Sequence, residues 1–274
     1  MTRDNIKHFS NWLEFLNGIT DNAPEGKLVS INGRPAMGKT ALMNNAALAF
    51  AAEHKMPTVI FSLEMSDKQI INRILSIISG IPSEVITSDC IAVSEKALLD
   101  NAWHSFNALP LYIDDTPELS LSDFKQKCSK LTHEDRLKIV FIDYLGLMDD
   151  VKHAKDYAML MKELKEFASK TGITIFVLEQ VTRAELEKLD SLNGKFITSC
   201  SKPIEVLRSL DAIIHIHRPE YYAPMGCSSN EHLCGYTELH IRKVASTSDF
   251  IVPLLFNHET TRLEFLSQED YRRL

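Results

Sequence analysis

The segment Gly33-Arg34-Pro35-Ala36-Met37-Gly38-Lys39-Thr40 carries the GxxxxGKT spacing of a phosphate-cradling loop. Glycines at its two ends let the backbone curl until its N–H groups point at phosphate oxygens. A helix opening at Lys39-Thr40-Ala41 adds the partial positive charge of its N-terminus. In such a loop the Lys39 ammonium reaches the β- and γ-phosphates and the Thr40 hydroxyl ligates magnesium. The expected ligand is ATP with Mg2+, held by residues 33–41. The apolar run 27–32 before the loop and the Ala-rich run 39–54 after it supply the strand and helix that a chance Gly-Pro turn lacks.

Three further residues fall where strands should end. Asp143 follows the apolar run 138–142 (KIVFI) and fits the second magnesium anchor, the alternative being a plain turn residue. Glu64 ends the run 58–63 (TVIFSL) and could orient and deprotonate a water at the γ-phosphate. It could equally be a surface Glu opening the next helix. Gln180 closely follows 173–178 (ITIFVL); its amide could sense the γ-phosphate or simply end a strand.

Holding these groups together requires strand C-termini that share one edge. The chain alternates short apolar runs with helical patterns near 67–79, 91–107, 121–132 and 154–170, and a short strand is expected at 111–113. KIVFI and ITIFVL are apolar throughout, as strands buried on both faces are. The expected fold is α/β, a mostly parallel sheet flanked by helices. Strands at 212–216, 237–242 and 250–256 follow without long helices between them, which predicts an antiparallel C-terminal extension. Residues 5–17 could form a short helix with Phe9, Trp12, Leu13 and Phe15 on its apolar side, and the polar stretch 183–202 reads as a loop.

The 274 residues, 45% hydrophobic, suffice for one sizeable core. A net charge of −7 argues against a general electrostatic nucleic-acid coat, though not against a few basic loops gathered inside a ring. There is no signal-peptide pattern and no apolar run of about 18 residues, so a cytoplasmic location without a membrane is expected. The five cysteines are scattered, which does not suggest a disulfide framework. Cys227 and Cys234, with His232 between them and His240 beyond, make a zinc site conceivable, but the tight CxxC pair is missing and an ordinary polar loop is the plainer reading.

The blocks GRPAMGKT, FSLEMSDKQIINR, FIDYLGLM and LEQVTR together resemble the ATPase domain of DnaB-type replicative helicases, from about residue 12 to 266. SLEM followed by QIxxR is the most specific part. The resemblance implies a RecA-like P-loop fold over 27–274 after a short N-terminal segment 1–26, and a homo-hexameric ring with ATP between subunits. It implies translocation along single-stranded DNA and unwinding during DNA replication, with other replisome proteins as possible partners. Residue by residue, it makes Glu64 the base, Asp143 the acid of the metal site, Gln180 the sensor and Arg73 a nucleotide ligand. It also matches Lys243 to a lysine that reaches the ATP of the neighbouring subunit.

Two departures stand out. The family's arginine finger position is Ala245 here, and an arginine finger can be worth about 10³–10⁵ in rate. The family's DNA-gripping segment survives only as fragments in 197–211. The alternative expectation is therefore a DnaB-derived ATPase that lacks unwinding and serves as a regulatory or partner subunit. A small-molecule kinase would leave the SLEM block unexplained.

Overall fold

The computed structural model describes residues 5–88, 91–150, 154–180, 203–222, 234–244 and 248–273. Nine strands form one sheet: β1 (Leu28–Gly33), β2 (Thr58–Ser62), β3 (Leu111–Asp114), β4 (Ile139–Asp143), β5 (Thr174–Gln180), β6 (Ala212–His217), β7 (Tyr236–Lys243), β8 (Asp249–Phe256) and β9 (Leu263–Phe265). Their order is β3-β2-β4-β5-β1-β6-β7-β8-β9. The first six run parallel and the last three antiparallel, so the mostly parallel sheet with an antiparallel C-terminal extension is as expected, except that β6, expected within that extension, lies parallel beside β1 and only β7, β8 and β9 reverse direction.

Helices cover both faces. Among the described residues they are α1 (Trp12–Ile19), α2 (Lys39–Ala52), α3 (Asp67–Ser79), α4 (Ser83–Thr87), α5 (Val93–Asn107), α6 (Leu121–Asp135), α7 (Ala154–Thr171), α8 (Ile204–Ser209) and α9 (Gln268–Arg273). On one face α1, α2, α3 and α5 bury Phe15, Leu42, Phe50, Ile70, Ile74 and Phe106 against Ile60, Phe141, Phe176 and Leu178. Phe176 stacks on Phe141 at 4.8 Å between ring centroids. On the other face α6, α7 and α8 bury Phe124, Leu160, Leu164 and Val206 against Val59, Val140, Ile175 and Val177. No helix among the described residues is long and apolar enough to cross a membrane.

The N-terminal helix starts later than expected. Residues 6 and 7 are extended instead: Ile6 bridges Ile251, and the Lys7 N–H donates to the Ile251 carbonyl at 2.9 Å. Asn11 then begins α1 by accepting from the Glu14 N–H at 2.9 Å, an N-cap that the periodicity alone did not locate. Trp12, Phe15 and Phe265 close an aromatic cluster with Phe9 over the C-terminal strands. Short α4, α8 and β9 were not expected, because elements of three to six residues carry too little periodicity to read. The expected loop 183–202 and the substituted position 245 lie outside the described residues.

Candidate nucleotide site

The parallel strands deliver their C-terminal ends to one edge, where ligands of open α/β sheets bind. Gly33 ends β1 in register with Gln180 at the end of β5. Ser62 ends β2 in register with Asp143 at the end of β4, and the Leu63 N–H donates to the Asp143 carbonyl at 2.7 Å. Glu64 follows immediately. Strand pairing alone therefore brings the loop 33–40, Glu64, Asp143 and Gln180 together.

The loop itself turns on Gly38, whose φ of +96° no L side chain adopts without strain, and on Ala36 at +63°. Gly38 is the N-cap of α2, so the helix opens directly at Lys39. Met37 and Ala41 turn their side chains into the core, which anchors the curl from below. Lys39 Nζ donates to the Gly33 and Arg34 carbonyls, each at 3.0 Å. Thr40 Oγ1 donates to Asp143 Oδ2 at 2.8 Å. Arg73 arrives on α3, whose start is fixed by a capping box between Ser66 and Gln69.

These groups line one cleft of about 900 Å3. Its walls hold Pro35, Ala36, Gly38, Lys39, Thr40, Ala41, Glu64, Arg73, Asp143 and Gln180. Asp143 is buried, and burial first, with the nearby Glu64 carboxylate, pushes its pKa up against the opposing pull of Thr40, Lys39 and Arg73. Burial likewise pulls Lys39 and Arg73 down, while Asp143 and Glu64 favour their charged forms. The edge is thus a compact set of two cations and two carboxylates.

Lys243 is elsewhere within the chain. It pairs across the sheet with Ala212, the first residue of β6, whereas the loop lies near the last. Its Nζ donates to the Gly18 carbonyl at 3.2 Å and to the Asp21 carboxylate.

The cleft extends beyond the loop to residues that sequence reasoning did not single out: Pro82–Val85, Arg218, Phe256, His258, Glu259 and Thr261. Arg218 is the most informative. It follows β6 directly, as Asp143 and Gln180 end theirs, and that strand-end position was the available signal. Its side chain is buried, paired with Glu220, and its guanidinium lies 4.5 Å from the Phe256 ring centroid.

On the sheet's other face a buried polar row crosses four strands behind the loop, with Glu179, Asn32, His215 and His240 in register. Asn32 Oδ1 lies 2.7 Å from His215 Nδ1. Burial, then His240, His217 and Lys39, hold the His215 pKa well below its ordinary value. The native state therefore disfavours a proton that the unfolded chain accepts below about pH 6.5. Stability from this group is full above that pH and lost as pH falls through it. Thermal melts should show a falling midpoint from pH 7.5 to 5.5, and His215→Gln should flatten that slope. An unchanged slope in the variant would remove His215 from the account.

The family described as DnaB-like helicase C terminal domain matches residues 10–265. The chain belongs to this family. The replicative DNA helicase DnaB of Leifsonia xyli subsp. xyli is 30% identical over 211 residues, covering 76% of this chain and 46% of that protein. That of Treponema pallidum is 32% identical over 175 residues, covering 62% of this chain and 40% of that protein. This chain thus spans about half the length of these relatives. Among solved structures, one ATPase domain superposes with a TM-score of 0.81 at 22% identity, covering 97% of this chain and 94% of that one. A DnaB-like replicative helicase studied with primase gives 0.79, also at 22%, covering 96% of this chain and 63% of that one. Both likenesses bear on the fold, and they bear out the RecA-like sheet expected from the sequence.

Proposed function

We propose that this chain is the ATP-hydrolysing motor of a DnaB-type replicative helicase, working in the cytoplasm on single-stranded DNA as part of a homo-oligomeric ring, a hexamer by family analogy. The observation that carries the reading is the contact between Thr40 and Asp143 at the mouth of the loop, with Lys39, Glu64, Arg73 and Gln180 gathered on the same cleft. The Thr40 hydroxyl and the Asp143 carboxylate, hydrogen-bonded at 2.8 Å, are the oxygen groups that would hold Mg2+. Bound there, the ion would neutralise charge on the phosphates.

In this reading residues 33–41 wrap the phosphates, and Lys39 exchanges its two carbonyl partners for the β- and γ-phosphates. Arg73 adds a second cation from α3. Glu64 orients and deprotonates the attacking water. Gln180 meets the γ-phosphate and transmits its loss into the segment after β5. Lys243, far from the chain's own cleft, serves a neighbour's. The relatives' names speak of replicative helicases, and one neighbour was studied with primase; replisome partners of that kind are proposed here too.

The test is ATP turnover with and without single-stranded DNA, paired with native mass measurement. We expect DNA to raise turnover several-fold and a six-fold assembly to form with nucleotide. Turnover that ignores DNA in a proven ring would refute the translocase and leave the regulatory subunit standing.

A further inference from the structure

The sequence made a zinc site among Cys227, His232, Cys234 and His240 conceivable, with an ordinary polar loop the plainer reading; Cys227 and His232 lie outside the described residues, and Cys234 and His240 have different neighbours. His240 is buried in β7, its Nε2 lying 2.7 Å from Glu238 Oε2 on the sheet's inner face. Cys234 instead meets His258 and Glu220, and their ligand atoms all lie within 4.8 Å of one another. We propose that Cys234, His258 and Glu220 form a binding site for a zinc-class divalent ion at the far end of the nucleotide cleft.

The three residues come from separate parts of the chain, yet two of them are set by strand pairing. Tyr236 pairs with Leu255, so the hairpin register carries Cys234 alongside residues 257 and 258. The Phe256 N–H donates to the Gly235 carbonyl at 2.7 Å, extending that pairing by one residue. Gly235 has φ +75°, and a Cβ there would collide with the Phe256 carbonyl oxygen. Only glycine permits this approach, and the approach presses Cys234 against the β8–β9 turn.

Glu220 is held in advance. Arg218 donates to its Oε1 and the Gly235 N–H donates to its Oε2 at 3.0 Å. Carboxylates that ligate metals are oriented by such outer contacts. His258 Nε2 lies 3.4 Å from Glu220 Oε1. Two ligands about 2.1 Å from a tetrahedral ion are about 3.4 Å apart, so this pair already has the separation a shared zinc needs. The thiol has to close only part of a bond length.

Thiolate, imidazole and carboxylate together select zinc or cobalt over magnesium or calcium. Thiolate and carboxylate bring two negative charges to a divalent ion, leaving a fourth position for water. The neighbouring Arg218 now contacts the His258 ring, with Nε2 at 2.9 Å. Metal binding replaces that contact and leaves the Arg218–Glu220 pair in place. Because Arg218 and His258 both line the cleft, the ion would tie β6's end to the β8–β9 turn along one wall of it.

The site is tested by titrating cobalt(II), then zinc(II), into the chelator-treated full chain. One equivalent of cobalt should give the near-ultraviolet thiolate charge-transfer band and the visible bands of a tetrahedral ion, and zinc should displace it. Cys234→Ser should abolish the charge-transfer band. His258→Gln should weaken cobalt binding by about tenfold or more. Cys234 is exposed and the His258 side chain is 47% exposed, so both variants should fold, which circular dichroism checks. Zinc should raise the melting temperature of the wild type and leave that of Cys234→Ser unchanged. No stoichiometric binding, or binding undiminished in both variants, would overturn the proposal.

Discussion

Lys39→Ala should weaken ATP binding by about a hundredfold or more, corresponding to roughly 2.7 kcal/mol. The side chain is half-buried at the start of α2, and it hydrogen-bonds to two carbonyls of its own loop. Removing it therefore costs the nucleotide a charge-assisted contact while leaving the sheet and the helix packing untouched. Its loss also takes away one of the two cations that oppose the upward shift of Asp143. The carboxylate becomes harder to ionise, and magnesium should bind less well for the same reason. Calorimetric titration with ATP, with and without magnesium, measures both effects. An unchanged melting temperature without nucleotide should accompany the lost affinity. Near-normal affinity in a folded variant would remove Lys39 from the phosphate site and the loop reading with it.

The sequence revealed Asp143, Glu64 and Gln180 because each ends or closely follows a parallel strand. Where a run of apolar residues stops at Asp143, Glu64 or Gln180, the fold class alone puts that residue on the ligand edge. Parallel strands buried on both faces show as short unbroken apolar runs, so β1, β2, β4 and β5 and their ends were all legible. The cleft's second half was not. Pro82–Val85 lie at the start of the short α4 and Phe256–Thr261 at the end of β8 and in the turn after it, and what places them is packing between distant segments. The Ser83 N–H, for instance, donates to the Glu259 carbonyl at 2.9 Å, a contact between distant parts of the chain that no local pattern encodes. Arg218 obeyed the strand-end rule but went unread, because 212–216 was expected in the antiparallel extension, and only its parallel pairing with β1 carries its C-terminal end to the ligand edge. Both histidines of that strand are buried: His215 meets Asn32 at 2.7 Å, and the His217 ring lies 5.6 Å from that of His240. The late start of α1 has a similar cause, since Ile6 and Lys7 are drawn into pairing with β8, at the opposite end of the chain.

Glu64→Gln should separate binding from turnover. Glutamine keeps the shape of the side chain and loses only its charge and basicity. If Glu64 takes the proton of the attacking water, turnover should fall by about 10²–10⁴-fold. Binding should not fall with it. Glu64 is one of the groups that hold the Asp143 pKa up, so the amide lets Asp143 ionise more readily and should maintain or tighten the magnesium complex. The opposite balance applies to Lys39 and Arg73, which lose a favourable neighbour. Both remain beside Asp143, so the phosphates keep their cations. A surface Glu that merely opens α3 predicts something different, because that helix is already started by the capping box of Ser66 and Gln69. In that case the amide would leave turnover, affinity and melting temperature all near normal. Single-turnover hydrolysis measured beside equilibrium binding distinguishes the two. Slow chemistry on a fully bound nucleotide assigns the base, and unchanged chemistry would mean that another group activates the water at this edge of the sheet.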